Sequence, residues 1–148
     1  MCIRDRQWDT VMDVNLKGYF NFNRAAAIVM KDQRYGKIVN VSSINGMRGK
    51  FGQSNYAASK AGNIALTKAL AKELGKFNIN VNCVAPGIVM TEMAESIPPA
   101  FLNIAVNETV LGRPATTDDV SNVVAFFCSD YSRHITGEVI KVDGGQYI

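Results

Sequence analysis

Lys37-Ile38-Val39-Asn40-Val41-Ser42-Ser43 decides the fold once it is read together with its flanking segments. The run is short and apolar and ends in two serines, which reads as a buried strand. A loop with Gly46, Gly49 and Gly52 comes next. Residues 54–75 are rich in alanine and leucine and predict a long helix closed near Gly75. Ile79-Asn80-Val81-Asn82-Cys83-Val84-Ala85 is a second strand, broken by Pro86-Gly87. Upstream, residues 7–32 predict a helix, with Trp8, Val11, Met12, Asn15, Leu16, Tyr19 and Phe20 on one face. Downstream, Pro98-Pro99 opens a segment that predicts a helix over 99–107. Thr116 or Thr117 caps a further helix, with Asp118 and Asp119 in its first turn, running to about Ser129. Glu138-Val139-Ile140-Lys141-Val142 is a last strand before Asp143-Gly144-Gly145. Strands that alternate with long helices need crossover connections, so the class is α/β with a parallel sheet covered on both faces. Ligands of such sheets bind at the carboxyl ends of the strands. Ser42-Ser43 and Pro86-Gly87 stand at two of those ends.

Composition narrows the function classes. The chain has 148 residues, of which 47% are hydrophobic and 20% charged, so it is shaped for a packed core and not for disorder. No apolar stretch is long enough to cross a membrane, and the amino-terminal residues lack the apolar core of a signal peptide. The net charge is +3 with basic residues scattered, so no nucleic-acid surface is expected. Cys2, Cys83 and Cys128 are too widely spaced for a disulfide framework or a zinc pattern. They read as small buried side chains in a reducing, cytoplasmic setting. His134, the single histidine, reads as a surface or loop residue, and no metal site is expected.

The chemistry concentrates in Tyr56-Ala57-Ala58-Ser59-Lys60. Positions four apart share a helix face, so the phenol and the ammonium point the same way. An ammonium beside a phenol favours the phenolate, the general route by which a tyrosine becomes an acid/base near neutrality. Ser43, at the strand end, offers a hydroxyl to a substrate carbonyl. Asn15 falls on the apolar side of its helix, where a buried amide holds a water or a kinked backbone, or is simply satisfied in the core.

These residues resemble the short-chain dehydrogenase/reductase family. The resemblance rests on Val14-Asn15-Leu16-Lys17-Gly18, Ile38-Val39-Asn40-Val41-Ser42-Ser43 and Asn55-Tyr56-Ala57-Ala58-Ser59-Lys60-Ala61-Gly62. It continues through Val81-Asn82-Cys83-Val84-Ala85-Pro86-Gly87, Thr91, Ile135-Thr136-Gly137 and Val142-Asp143-Gly144-Gly145. It covers residues 7–148, and Gly52-Gln53-Ser54-Asn55-Tyr56 is most similar to the 3-oxoacyl-carrier-protein reductase branch. The resemblance implies NAD or NADP as cofactor and a carbonyl or alcohol substrate, with a carrier-linked acyl group among the options. It implies Tyr56 as acid/base, Lys60 as its partner and ribose ligand, Ser43 as the carbonyl-orienting serine and Asn15 as holder of a relay water. Pro86, Gly87, Val89 and Thr91 match the loop that fixes the nicotinamide, and residues 92–112 match a substrate lid. Met90, Met93, Ile97 and Phe101 make that lid apolar, or serve only its packing. The resemblance also implies a homo-oligomer, dimer or tetramer, packed through helices 7–32 and 54–75.

The resemblance further implies a doubly wound Rossmann-like domain of about 250 residues, of which this chain holds the carboxyl-terminal portion. The first strands and their glycine-rich phosphate turn are absent from the sequence, and with them the residue that selects NAD or NADP. Residues 1–6 do not resemble the family and are expected to be a foreign start. The remaining strands are then expected to expose apolar faces and an unpaired edge, with low stability. Two rival readings stand beside catalysis. One is a non-catalytic oligomerisation fragment. The other is a serine hydrolase using Ser43 and Lys60, which lacks a Gly-x-Ser-x-Gly elbow. Arg34 and Lys76 either meet an acidic carrier protein or are ordinary solvated charges.

Overall fold

The structure is a computed structural model that describes residues 3–148. Its three strands, β1 (Gly36–Val41), β2 (Ile79–Pro86) and β3 (Val139–Val142), form a parallel sheet in the order β1-β2-β3. Gly36 pairs with Ile79 and Val41 with Val84, while Cys83 pairs with Val139 and Pro86 with Val142. This is the α/β class that the alternation of strands and helices predicts.

The amino-terminal helix differs from its prediction. It begins at Asp5 and is interrupted: α1 (Asp5–Met12), a π turn (Asp13–Lys17) and α2 (Gly18–Gln33). The Gly18 amide bonds back to the Asp13 carbonyl, five residues away, which inserts one extra residue into the turn. One residue rotates a helix face by about 100°. The apolar face predicted through Phe20 therefore breaks, and Phe20 is exposed while Asn23 and Ala27 are buried. Asn15 lies in this π turn and is half-buried there.

Helix α4 (Ser54–Leu74) crosses from β1 to β2. Its buried Ala71 and Leu74 join Ala27 of α2, Ile38 of β1 and Ile79 and Val81 of β2 in the main core. Helix α7 (Thr117–Cys128) packs on the sheet as well and buries Phe127. Strand β2, central in the sheet, is buried continuously from Val81 to Ala85, as a strand covered on both faces must be. Burying a side chain the size of Leu74 or Phe127 contributes about 1.5–3 kcal/mol each.

Asn82 of β2 serves the loop before β3. Asn82 donates to the Ile135 carbonyl at 2.9 Å and accepts from the Glu138 amide at 3.1 Å. The Thr136 hydroxyl accepts from Val81 N at 3.0 Å, and Gly137 N donates to Val81 O at 2.8 Å. The Ile135-Thr136-Gly137 motif is thus the clamp that delivers β3 to the sheet edge.

Helices α3 (Asn45–Arg48) and α5 (Glu92–Glu95) are single turns that no sequence pattern announces. Helix α6 (Pro99–Asn107) spans the predicted range. Cys83 is buried as expected, but Cys128 is exposed at the end of α7, and Cys2 lies outside the described residues. His134 is an exposed loop residue. Strand β1 has no partner on its outer edge among the described residues, and a groove of about 470 Å³ runs beside it, lined by Val14, Phe22, Met30 and Val39.

Candidate active site

The carboxyl ends of the strands are stitched together by backbone bonds. Ser42 N donates to Val84 O at 2.8 Å, Ile44 N to Pro86 O at 3.1 Å, and Gly87 N to Val142 O at 3.1 Å. The Ser43 turn and the Gly87 loop are therefore neighbours. Helix α3 rests directly on α4, because a Cβ on Gly46 would lie 2.7 Å from the Lys60 carbonyl carbon. Only glycine permits that approach.

Ser42 and Ser43 have different work. The Ser42 hydroxyl donates to Lys60 O at 2.8 Å, so its proton is committed. The Ser43 hydroxyl accepts from Asn45 N at 3.1 Å, a bond that leaves its own proton to give.

On α4, the Lys60 ammonium stands 5.7 Å from the centre of the Tyr56 ring and 5.4 Å from that of Tyr19. It donates to the Val41 carbonyl at 3.0 Å, which leaves two further N–H donors. The Val41 carbonyl also accepts from the Tyr19 hydroxyl at 2.7 Å and from Asn63 Nδ2 at 3.3 Å. Burial pushes the Lys60 pKa down and the Tyr19 pKa up, the latter opposed in part by the bond to Val41. Helical periodicity marks Tyr19 only as part of an apolar face. Its spacing of four from Asn15 is the only sequence signal of its place beside Lys60.

Asn15 is half-buried in the π turn, which packs against α4. Gly62 makes that packing possible, since a Cβ there would meet Leu16 Cδ2 at 2.9 Å. The Lys60 ammonium is bonded to Val41, and among the described residues no direct bond joins Asn15 to Tyr56, Lys60 or Ser43.

The remaining predicted residues form the loop after β2. Gly87 lies against the carboxyl-terminal turn, where a Cβ would be 2.6 Å from Gln146 Oε1 and 2.9 Å from Asp143 Cα. Val89 bridges to Ala115. The Thr91 hydroxyl caps α5, accepting from Ala94 N at 3.3 Å. Met93 and Phe101, in the segment 92–112, are exposed. A cleft of about 60 Å³ is lined by Ser43, Asn45, Arg48, Gly87 and Gln146. No motif marks Arg48 or Gln146 in the sequence, although Gln146 directly follows the Asp143-Gly144-Gly145 turn. Arg34 and Lys76 sit at the opposite end of the sheet, with their charges 5.6 Å and 5.3 Å from the Phe77 ring.

The profile of a family described as enoyl-(acyl carrier protein) reductase matches residues 2–146. The chain is 47% identical over 146 residues to a 3-oxoacyl-[acyl-carrier-protein] reductase FabG of Thermotoga maritima, covering 99% of this chain and 59% of the relative. The chain belongs to the short-chain dehydrogenase/reductase family. Other members include an acetoacetyl-CoA reductase of Shinella zoogloeoides, 42% identical over 95% of this chain and 59% of the relative. A FabG of Staphylococcus aureus is 42% identical over all of this chain and 60% of its own length. This short-chain dehydrogenase/reductase chain thus spans about three-fifths of the length of these relatives. No described helix is long and apolar enough to cross a membrane. Among the described residues, no group of three or more His, Cys, Asp and Glu is placed to hold a metal.

Proposed function

We propose that this chain carries the active-site portion, within residues 7–148, of a cytoplasmic NAD(P)-dependent oxidoreductase that interconverts a carbonyl and a secondary alcohol. The observation that carries the reading is the stacking of Lys60 beside Tyr56 at the end of the sheet where Ser43 keeps a free proton. In this reading Ser43 donates to the substrate oxygen and orients it, and Tyr56 passes the proton to or from that oxygen. Lys60 steadies the phenolate and offers its spare donors to a ribose diol. Asn15 holds a relay water, and Pro86, Gly87, Val89 and Thr91 frame the nicotinamide. Hydride chemistry at the substrate carbon would be supplied by a bound nicotinamide.

Lys60, with two N–H donors left beyond its bond to Val41, suits the nicotinamide-ribose end of a dinucleotide. The sequence holds no glycine-rich turn of the Gly-x-x-x-Gly-x-Gly kind for the phosphates. The relatives' names point to one substrate class, since a 3-oxoacyl carrier protein and acetoacetyl-CoA are both 3-oxoacyl thioesters. The test is reduction of acetoacetyl-CoA followed by loss of reduced-nicotinamide absorbance, with the chain carrying whatever flanking sequence its gene encodes. Turnover that depends on NADH or NADPH supports the reading, and none with either cofactor overturns it.

A second reading, a non-catalytic oligomerisation fragment, is favoured by exposed apolar side chains of α2. Phe22 is 80% exposed there, and Ile28 and Val29 are exposed with it. Catalysis and a dimer or tetramer are compatible, so light scattering with a nicotinamide titration separates assembly alone from assembly with a working site. A serine hydrolase has no support, because the Lys60 ammonium is held by Val41 and Ser43 has no base beside it among the described residues.

A further inference from the structure

Three side chains outside the proposed catalytic set tie the site together. Arg48, at the end of α3, donates from Nη2 to Glu108 Oε2 at 2.9 Å and from Nη1 to the Gln146 carbonyl at 3.3 Å. Its Nε donates to Asn45 Oδ1 at 3.2 Å. Asn45 is the residue whose amide anchors the Ser43 hydroxyl. A continuous chain of bonds therefore runs from Glu108, the residue that ends α6, through Arg48 and Asn45 to Ser43.

Gln146 forms the second branch. It is buried, and its amide bonds three groups at once, two at α6 and one in the loop after β2. Nε2 donates to Glu108 Oε2 at 2.9 Å and to Ala105 O at 3.3 Å on α6, while Oε1 accepts from Ile88 N at 3.0 Å, next to Gly87. Gly87 has no side chain to keep Gln146 away. Both branches meet on one carboxylate oxygen. The Gln146 amide and the Arg48 guanidinium hold the Glu108 carboxyl below the usual carboxylate range.

We infer that Arg48, Glu108 and Gln146 are positioning residues, which carry the placement of α6 into the Ser43 turn and the Gly87 loop. The inference rests on the oxidoreductase reading for its kinetic consequence only. A displaced α6 takes Glu108 with it, frees Arg48, and loosens Asn45 behind Ser43. The same displacement removes the acceptor from Gln146 and slackens Ile88. The Ser43 proton and the loop after β2 are then set when α6 is in place.

Amide hydrogen exchange tests the linkage directly. In Glu108→Ala and Gln146→Met, the Asn45 and Ile88 amides are expected to exchange about fivefold faster or more, the scale of one lost hydrogen bond, with β2 amides unchanged. Unchanged Asn45 and Ile88 amides overturn the inference. Arg48→Lys keeps charge and length, so it serves if the other variants fail to fold, and the same Asn45 change is expected in it. The kinetic arm uses Arg48→Lys against wild type. A kcat lower by about fivefold, with the KM for reduced nicotinamide within about twofold, supports positioning of Ser43. Equal loss of both, or no loss, overturns it. A wild type without turnover overturns the oxidoreductase reading and leaves the linkage to be decided by exchange alone.

Discussion

The Lys60 ammonium faces the Tyr56 ring at 5.7 Å, one helical turn along α4, and is held there from the other side by the Val41 carbonyl. Tyr56→Phe keeps the ring and its contact with Lys60 and removes only the hydroxyl. It is expected to lower turnover by about 100-fold or more, the usual worth of a positioned proton donor. Nicotinamide affinity, read by fluorescence titration, and the melting temperature are expected to stay close to wild type. Turnover at the wild-type rate refutes the role of Tyr56.

Lys60 carries its charge into a half-buried place on α4. Burial lowers its pKa from the ordinary 10.5, so the folded chain binds this proton less tightly than the unfolded chain. Between the lowered value and 10.5 the unfolded state carries more protons, so this group's contribution to stability rises with pH. Lys60→Met removes a half-buried charge while Val41 keeps Tyr19 and Asn63 as donors. The variant is expected to melt higher than wild type at pH 7, to lose that advantage as pH approaches 10, and to lose turnover. A markedly lower melting temperature at pH 7 contradicts this account.

Gly46→Ala is expected to cost about 1–3 kcal/mol, because the new methyl would press on backbone and not on the tip of a flexible side chain. Denaturant unfolding measures the loss. The variant is also expected to lower kcat, since α3 carries Asn45 behind Ser43.

The sheet and most of its helices are legible in the sequence for a physical reason. Apolar runs bounded by glycine and proline mark buried strands, and Thr116 or Thr117 before Asp118 and Asp119 marks a helix start, which the structure builds as a capping box between Thr116 and Asp119. What is not legible depends on contacts between distant residues. The π turn is invisible to a periodicity count that assumes one pitch, and it is why Phe20 leaves the predicted face. Tyr56, Lys60 and Ser43 stand out because their chemistry is local to a helix turn or a strand end. Arg48 and Gln146 do not, because 98 residues separate two side chains whose roles exist only once the chain has folded.

The same capping box gives a pH signature. Asp119 accepts from Arg113, from Thr116 N and from the Thr116 hydroxyl, which together hold its carboxyl far below the ordinary 3.8. A depressed pKa supplies stability that is complete above the unfolded value and fades as pH falls through the folded one. Asp119→Asn is therefore expected to melt lower than wild type at pH 6, with the gap closing as pH drops well below 3.8. Thr116→Ala is expected to cost about 1 kcal/mol, as loss of a helix cap does. A gap that does not change with pH removes the carboxylate from the explanation.

Thiol chemistry separates the two described cysteines. Burial pushes the Cys83 thiol up to about 11, so roughly one part in a thousand is ionised at pH 8. Cys128 is exposed. Iodoacetamide at pH 8 is expected to label the Cys128 peptide within minutes and the Cys83 peptide only after unfolding, read by peptide mass mapping. Labelling of Cys83 at a comparable rate would mean that β2 opens readily.

The three donors on the Val41 carbonyl reach beyond catalysis. Ser42 N points to β2, so alternation along the strand turns the Val41 carbonyl to the outer side of β1. That oxygen is already occupied by Tyr19, Lys60 and Asn63. A strand laid along β1 would find acceptors at Lys37 and Val39 and none at Val41. The edge is a template whose last rung is already taken. Phe22, which lines the groove beside that edge, puts an apolar side chain where such a strand would lie.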